Sequence, residues 1–297
     1  MNKRVLITGA AGFLGSNVFR FFLNKGFTVF GVDRTDERGF FCIDLLNEDS
    51  IIDTLKRTMP DIIIHCAGTA DVGKSVQYPD VDYKGNVTVT HNLLFSLHKL
   101  NMSATKVVFL SSASVYGNPK ILPITEDMPL NPLSPYALHK VMCEDICNYF
   151  CLNYNFDIKI ARIFSAYGVG LRKQIFWDMY VKAKKTGKLE MFGTGNESRD
   201  YINVKDVVRS LFLLATKESN DKVFNIANGS EITIKQVTEW FAESSGISKD
   251  KILFNGHSRE GEPINWVADI SKIKKLGYKK SIEIKDGIKE YVDWVMR

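Results

Sequence analysis

At 297 residues the chain has room for one large or two modest domains, and 45% hydrophobic with 25% charged residues is the make-up of a globular protein. Lys+Arg 39 against Asp+Glu 34 leaves only +5, with the lysines scattered, so the balance implies no nucleic-acid partner and suits an anionic small molecule. Five cysteines, an odd number in no disulfide-like framework, fit a reducing cytoplasm, and no run reaches the roughly 18 apolar residues of a membrane helix. The basic start Met1–Arg4, followed by an apolar stretch, imitates a secretory leader, but the glycines inside that stretch have a better explanation.

Val5–Thr8 reads as a buried strand, Gly9, Gly12 and Gly15 as a turn, and Phe13–Lys25 as a helix closed by Gly26. A strand, a glycine turn and a helix N-terminus together make an anion site, because backbone N–H groups and the helix dipole face a diphosphate. The spacing G-x-x-G-x-x-G is one residue longer than the usual dinucleotide fingerprint. Thr28–Val32 is a second strand ending at Asp33, where an acid accepts hydrogen bonds from the adenosine ribose of NAD. Arg34 follows and would suit the extra phosphate of NADP, so NAD is expected with NADP possible.

Strand and helix go on alternating. Phe40–Ile43 is a short strand with Asp44 at its end, Ser50–Met59 a helix, Asp61–Ala67 a buried strand and Asp80–Leu100 one long helix. Lys106–Leu110 is a strand leading to Ser111-Ser112, and Asp157–Phe164 is another. Such alternation predicts a doubly wound parallel sheet with ligands at the carboxyl ends of the strands, where Gly68, Ser112 and Ser165 fall. Between the last two strands lies Tyr136-Ala137-Leu138-His139-Lys140, behind the N-cap Ser134 and the first-turn Pro135. A phenol and an ammonium four residues apart share one helix face. A free tyrosine has a pKa of about 10. A neighbouring lysine favours the phenolate and makes it a usable proton acceptor and donor.

TGAAGFLG at Thr8–Gly15, HCAG at His65–Gly68, SSASVYG at Ser111–Gly117, SPYALHK at Ser134–Lys140, RIFSAYG at Arg162–Gly168 and SRDYINVKDV at Ser198–Val207 run in order over nearly the whole chain. On these motifs the chain resembles the extended short-chain dehydrogenase/reductases of the NAD-dependent epimerase/dehydratase family. The resemblance implies an α/β Rossmann-type doubly wound parallel sheet with a smaller C-terminal substrate-binding α/β lid. Residues 1–165 with about 204–228 would bind the cofactor, and 166–203 with 229–297 the nucleotide sugar. The resemblance makes Ser112, Tyr136 and Lys140 the catalytic triad. It places Gly9, Gly12, Phe13, Leu14, Gly15, Asp33, Arg34, Asp44, Leu45, Ala67 and Gly68 at the cofactor, with Tyr136 and Lys140. Ser75, Ser112, Tyr136, Ser165, Arg199 and Arg259 would meet the substrate, the two arginines through its diphosphate, which a guanidinium fork suits. It also implies a homodimer through the helices 80–100 and 135–154.

Several positions depart from relatives. Ser165 stands where many carry asparagine, and Asn265 where many carry a basic residue. Ala113 and Ser114 stand where the 4,6-dehydratases place an aspartate and a glutamate, the acid–base pair that elimination of water requires. His139, Cys143, Cys147 and Cys151 recur every fourth residue. At 1.5 Å rise per residue that series spans about 18 Å, too far for one metal ion, so the thiols are expected to pack and no metal is expected.

The resulting expectation is an NAD-dependent epimerase acting at the 4-position of a nucleoside-diphosphate sugar. An NAD(P)H-dependent reductase of a nucleotide-linked 4-keto sugar is the enzymatic alternative. A cofactor-binding sensor without chemistry is a third, opposed by the intact triad.

Overall fold

The computed structural model describes residues 2–35, 39–257 and 264–297. Strands β1 (Arg4–Thr8), β2 (Thr28–Asp33), β3 (Phe41–Cys42), β4 (Ile62–His65), β5 (Lys106–Ser112), β6 (Ile158–Ile163) and β7 (Val223–Ile226) form a seven-stranded sheet in the order β3-β2-β1-β4-β5-β6-β7. Every pairing in it is parallel. The longer helices are α1 (Phe13–Asn24), α2 (Glu48–Thr58), α3 (Val89–Lys99), α4 (Pro135–Tyr154), α5 (Gln174–Thr186), α6 (Val204–Thr216), α7 (Ile234–Ser245) and α8 (Ile284–Val295).

The near-continuous apolar runs of the strands follow from burial on both faces. Side chains alternate across a strand, so Val5, Ile7, Ile62, Ile64, Val108 and Leu110 enter one layer. There they meet Val18 and Phe22 of α1 and Val207 and Leu211 of α6. Leu6, Ile63, Val107 and Phe109 enter the opposite layer with Leu55 of α2, Leu93 and Leu97 of α3, and Cys143 and Cys147 of α4. Each such side chain contributes roughly 1.5–3 kcal/mol by leaving water. The two thiols are buried packing groups within a single chain. Strand order reverses between β1 and β4, and the crevice at their carboxyl ends, Thr8 and His65, is the ligand position of such sheets.

Two local expectations need correction. α2 begins at Glu48, because the Asn47 side chain accepts the Ser50 N–H at 3.1 Å and caps it there. The expected helix over 80–100 is three pieces: a short α-helix Pro79–Tyr83, a π-helical turn Lys84–Thr88, and α3. The wider turn carries Asn86, which is buried.

Beyond β6 the chain builds a smaller layer. The strand Ser165–Tyr167 pairs with Tyr201–Asn203, Leu189–Met191 with Ile252–Phe254, and Ser198–Arg199 with Ile232–Thr233. Its core joins Phe176 and Met179 of α5, Val237 and Phe241 of α7, and Ile288 and Tyr291 of α8. The chain returns to the main sheet in between, since α6 packs on α1 and β7 pairs with β6. Two buried carboxylates bind these parts together. Asp200 accepts the N–H groups of Asn228, Gly229, Ser230 and Ala268, and Asp206 those of Ser281 and Ile282.

Candidate active site

The glycine turn has the shape its spacing implies. Gly9 has φ +65°, and a Cβ there would stand 2.8 Å from Ala67 N. A Cβ on Gly15 would stand 2.0 Å from Gly9 O, so α1 packs on the turn only with hydrogen at that position. The N-cap of α1 is Gly12, with no side-chain cap and no acid in the first turn. By the geometry of a helix start, the amides of Phe13 and Leu14 have no intrahelical acceptor and are available to an anion. Asp33 does more than face the crevice. Its Oδ2 accepts the Ala11 N–H at 2.9 Å and its Oδ1 the Arg34 N–H at 2.8 Å, so it braces the turn from the end of β2. Arg34 and Asp44 are exposed, and Asp44 Oδ1 accepts the Leu46 N–H at 3.0 Å in the turn before α2. Leu45 is buried and its carbonyl accepts from Asn92 Nδ2 at 3.1 Å.

The helix α4, which carries Tyr136 and Lys140, is fixed at several points. Ser134 caps it, accepting the Ala137 N–H at 3.2 Å. The Ser75 hydroxyl accepts the Tyr136 N–H at 3.1 Å while donating to Val72 O at 2.7 Å. The resemblance puts Ser75 at the substrate; in the structure it is buried beneath the start of α4 and anchors it. Lys140, also buried, donates from Nζ to Leu110 O at 3.0 Å and lies 5.9 Å from the centroid of the Tyr136 ring. Leu110 is two residues before Ser112, so this bond joins α4 to the strand that carries the triad serine. Ser112 ends β5 half-buried, and its Oγ accepts from Ser114 N at 3.2 Å and from Ser114 Oγ at 3.0 Å. Ser114 thus serves as a hydrogen-bond donor to Ser112, the serine of the expected triad.

The charge of Lys140 reaches the end of β4. Burial, aided by that charge, lowers the His65 pKa to about 3, so the ring is neutral between Thr8 Oγ1 at 2.7 Å and Thr90 Oγ1 at 3.2 Å. Burial pushes the Cys66 thiol up to about 12 against the opposing pull of Lys140, which leaves it an unreactive neighbour of the cradle.

Behind the triad lies a buried network that the sequence reading missed. Arg162 of β6 forks onto Glu144 of α4, with Nε–Oε1 3.0 Å and Nη2–Oε2 2.7 Å. It also donates to Tyr116 OH at 2.9 Å, and Ser111 donates to Glu144. Tyr116, Glu144 and Arg162 each fall in or beside a recognisable motif, yet nothing in the spacing shows that they meet.

On the smaller layer, Ser165 is half-buried and its N–H donates to Asp200 O at 3.0 Å. Arg199 donates from Nη1 to Ser198 O at 2.9 Å and Ile264 O at 3.2 Å, with its guanidinium 5.8 Å from the Trp266 ring centroid. Glu197 spends its carboxylate on its own loop. Against a burial penalty, the N–H groups of Thr194 at 3.0 Å and Gly195 at 2.9 Å hold it below the ordinary carboxylate range. Arg259 and Glu262 lie outside the described residues.

A glycine cradle, an aspartate at the end of β2 and a serine, tyrosine and lysine around the ends of β4 and β5 thus share one edge of a doubly wound sheet. A sequence model of the NAD dependent epimerase/dehydratase family matches residues 5–227. The chain belongs to that family. It is 29% identical to the UDP-glucose 4-epimerase of Bacillus subtilis, over 96% of this chain and 94% of that one. Among solved structures, the UDP-glucuronic acid 4-epimerase of Bacillus cereus, in complex with UDP-glucuronic acid and NAD, is 27% identical with a TM-score of 0.87 and 98% of each chain covered. A dTDP-glucose 4,6-dehydratase double mutant of Streptomyces venezuelae, with NAD bound, is 26% identical with a TM-score of 0.89, covering 99% of this chain and 97% of that one. The epimerase/dehydratase fold is therefore present along the chain, as the motifs implied. Among the described residues no helix is long and apolar enough to cross a membrane.

Proposed function

We propose that this member of the family is an NAD-dependent 4-epimerase of a nucleoside-diphosphate sugar, with a uridine diphosphate sugar as the first substrate to test. The observation that carries this is Lys140 Nζ bonded to Leu110 O and lying 5.9 Å from the Tyr136 ring centroid, on a helix seated against the strand that ends in Ser112. The cradle fits NAD, since a Cβ on Gly9 would be driven into Ala67 and a side chain on Gly15 into Gly9 O. Gly9, Gly12, Phe13, Leu14 and Gly15 would hold its diphosphate, Asp33 its adenosine ribose, and Ala67, Gly68 and Lys140 its nicotinamide end. When bound, NAD takes up a hydride from carbon 4 of the sugar and later returns it.

The chain's own residues handle the proton and the sugar. Ser112 holds the reacting hydroxyl with a hydrogen bond. The Tyr136 oxygen takes the hydroxyl proton as carbon 4 becomes a ketone, and gives it back when the ketone is reduced. Lys140 stabilises the phenolate that must be present before the proton is taken and again after it is returned. Turning the keto sugar before the return step exchanges the faces and inverts carbon 4. Arg199 grips the diphosphate that stays fixed while the sugar turns, with Arg259 as a second contact. Residues 166–203 and 229–297 form this substrate side, and 1–165 with about 204–228 the cofactor side.

Two finer points belong to the same proposal. Elimination of water is not part of the activity: Ala113 and Ser114 offer no carboxylate, and Glu197 is tied to its own loop. The protein works as a cytoplasmic homodimer through the outer faces of the segment 80–100 and of α4, where Val81, Tyr83, Leu138, Met142, Tyr149 and Leu152 are exposed apolar groups. The deciding experiment incubates the protein with NAD and UDP-glucose, UDP-glucuronic acid or UDP-N-acetylglucosamine and follows carbon-4 inversion by proton NMR. Inversion without net change in NADH supports the epimerase. One-way consumption of NAD(P)H by a 4-keto sugar supports the reductase instead.

A further inference from the structure

Lys140 has neighbours that the chemistry above does not use. His139, the residue before it, is buried, and its Nδ1 lies 2.7 Å from Asp82 Oδ2. Asp82 is buried as well, and its Oδ1 accepts the hydroxyl proton of Thr69. Thr69 Oγ1 accepts from Asn86 Nδ2 at 2.6 Å, and Nδ2 also donates to Asp82 O at 3.2 Å. Asn86 Oδ1 is buried with no partner among the described residues. It lies 2.7 Å from the point where a Cβ on Gly68 would stand, and Lys140 Nζ lies 3.4 Å from the same point. Thus an orphaned acceptor and the catalytic ammonium converge on Gly68, one residue past the Ala67 that closes the glycine cradle.

The direction of this chain is set by counting protons. A carboxylate has none to give, so both oxygens of Asp82 accept, one from the imidazole and one from the threonine hydroxyl. Once the hydroxyl has spent its proton on Asp82, its oxygen can only receive, which turns the NH₂ of Asn86 toward it. The carbonyl oxygen of Asn86 is thereby turned toward Gly68, beside which Lys140 Nζ also lies. With an amide at position 82 the threonine could instead receive from position 82 and donate to Asn86. A flip of the Asn86 side chain, opposed then only by its bond to the Asp82 backbone carbonyl, would set two donors beside an ammonium.

We infer that Asp82, held by His139, is a positioning residue that fixes the polarity of the Thr69–Asn86 chain, so that an acceptor is turned toward Gly68, beside Lys140. Gly68 then lies beside both an acceptor and the ammonium's remaining protons, the pair that one hydroxyl-bearing group would use. The His139–Asp82 pair is met by Tyr83, whose ring stands edge-on to His139 at 5.4 Å, and by Thr69. The inference rests on the proposed catalysis for its turnover readout, and on NAD binding alone for its second.

The test uses the full chain and two variants, Asp82→Asn and the swap Asp82→Asn with Asn86→Asp. The single change is isosteric but frees the chain to reverse. The swap restores an acceptor toward Lys140 whichever way the side chain at 86 turns. Asp82→Asn is expected to lower kcat about ten- to a hundredfold, as misplacement of a catalytic group does, with the KM for the sugar changed far less. It should also weaken NAD binding measured by calorimetry. The swap should recover turnover and NAD affinity in large part. Unchanged kcat and NAD affinity in Asp82→Asn, or equal losses in the single variant and the swap, overturn the inference. If the wild-type chain turns over no nucleotide sugar, the proposed function fails by itself, and the NAD affinities still decide the polarity.

Discussion

Asp33 Oδ2 lies 2.9 Å from the amide nitrogen of Ala11, which makes the residue at the end of β2 a strut of the glycine turn. The carboxylate proposed to set cofactor choice therefore also holds the loop. Asp33→Ala is expected to weaken NAD and NADP alike, because the turn loses its brace, where a pure selectivity residue would exchange one preference for the other. In the wild-type protein NAD should bind better than NADP, since a carboxylate repels a 2′-phosphate. Calorimetric dissociation constants for both cofactors check this; a variant that loses NAD and gains NADP would show that the strut is dispensable.

Tyr136→Phe should keep the fold and the cofactor site, because the ring still packs and the Ser75–Tyr136 contact is made by the backbone. Only the exchangeable proton is lost. Turnover should fall by about 10²–10⁴, the usual contribution of an acid–base group. Steady-state kinetics beside NAD titration separate the two effects, and near-native turnover would move the proton transfer to another residue.

Arg199 is both a candidate diphosphate contact and a tie to Ser198 O and Ile264 O. Arg199→Ala should raise the dissociation constant for the nucleotide sugar at least tenfold, since hydrogen bonds to charged groups are worth roughly 1.5–3 kcal/mol. NAD binding should change little. A modest drop in Tm is expected too, from loosening of the segment at Ile264. Unaltered sugar affinity would place the diphosphate elsewhere.

Prolonged incubation with NAD and a 6-hydroxy nucleotide sugar should yield products of unchanged mass. Acid–base groups for elimination are missing at 113 and 114, and the Glu197 carboxylate is held by Thr194 and Gly195. A product lighter by one water in the mass spectrum would require a carboxylate from another part of the chain.

Acid stability should depend on His65. Its pKa is lowered in the fold from 6.5 to about 3, so between those values the unfolded chain binds the proton and the native state does not. Stability is then fully present above about 6.5 and falls as pH drops toward 3. His65→Asn, which keeps a polar partner for Thr8 and Thr90, should flatten that acid limb in urea unfolding measured across the range. An unchanged slope would mean that other groups carry the acid sensitivity.

What was readable in the sequence was whatever is encoded over a short span. The apolar runs, the glycine turn, the Ser134 cap with Pro135 and the Tyr136–Lys140 spacing are all local, and each is found where its pattern put it. The π-helical turn at Lys84–Thr88 has no such pattern, because one wider turn leaves helical propensity and periodicity almost unchanged. The Asp82–His139 and Glu144–Arg162 pairs join segments 57 and 18 residues apart, and only the packing of α4 brings them together. Ser75 shows the converse: a plausible motif position whose hydroxyl is taken up by the backbone it supports.

The last strand of the sheet, β7, is supplied by residues 223–226, after the chain has left for the smaller layer and come back. During synthesis the β6 edge, whose residues are all buried in the finished protein, must wait for the whole of that excursion before it is covered. A fragment ending near residue 165 would expose this edge as a sticky template for other chains. Cutting the protein to a minimal cofactor-binding piece therefore calls for excising the intervening part of the smaller layer and rejoining the chain ends, and an early stop codon there should give aggregates.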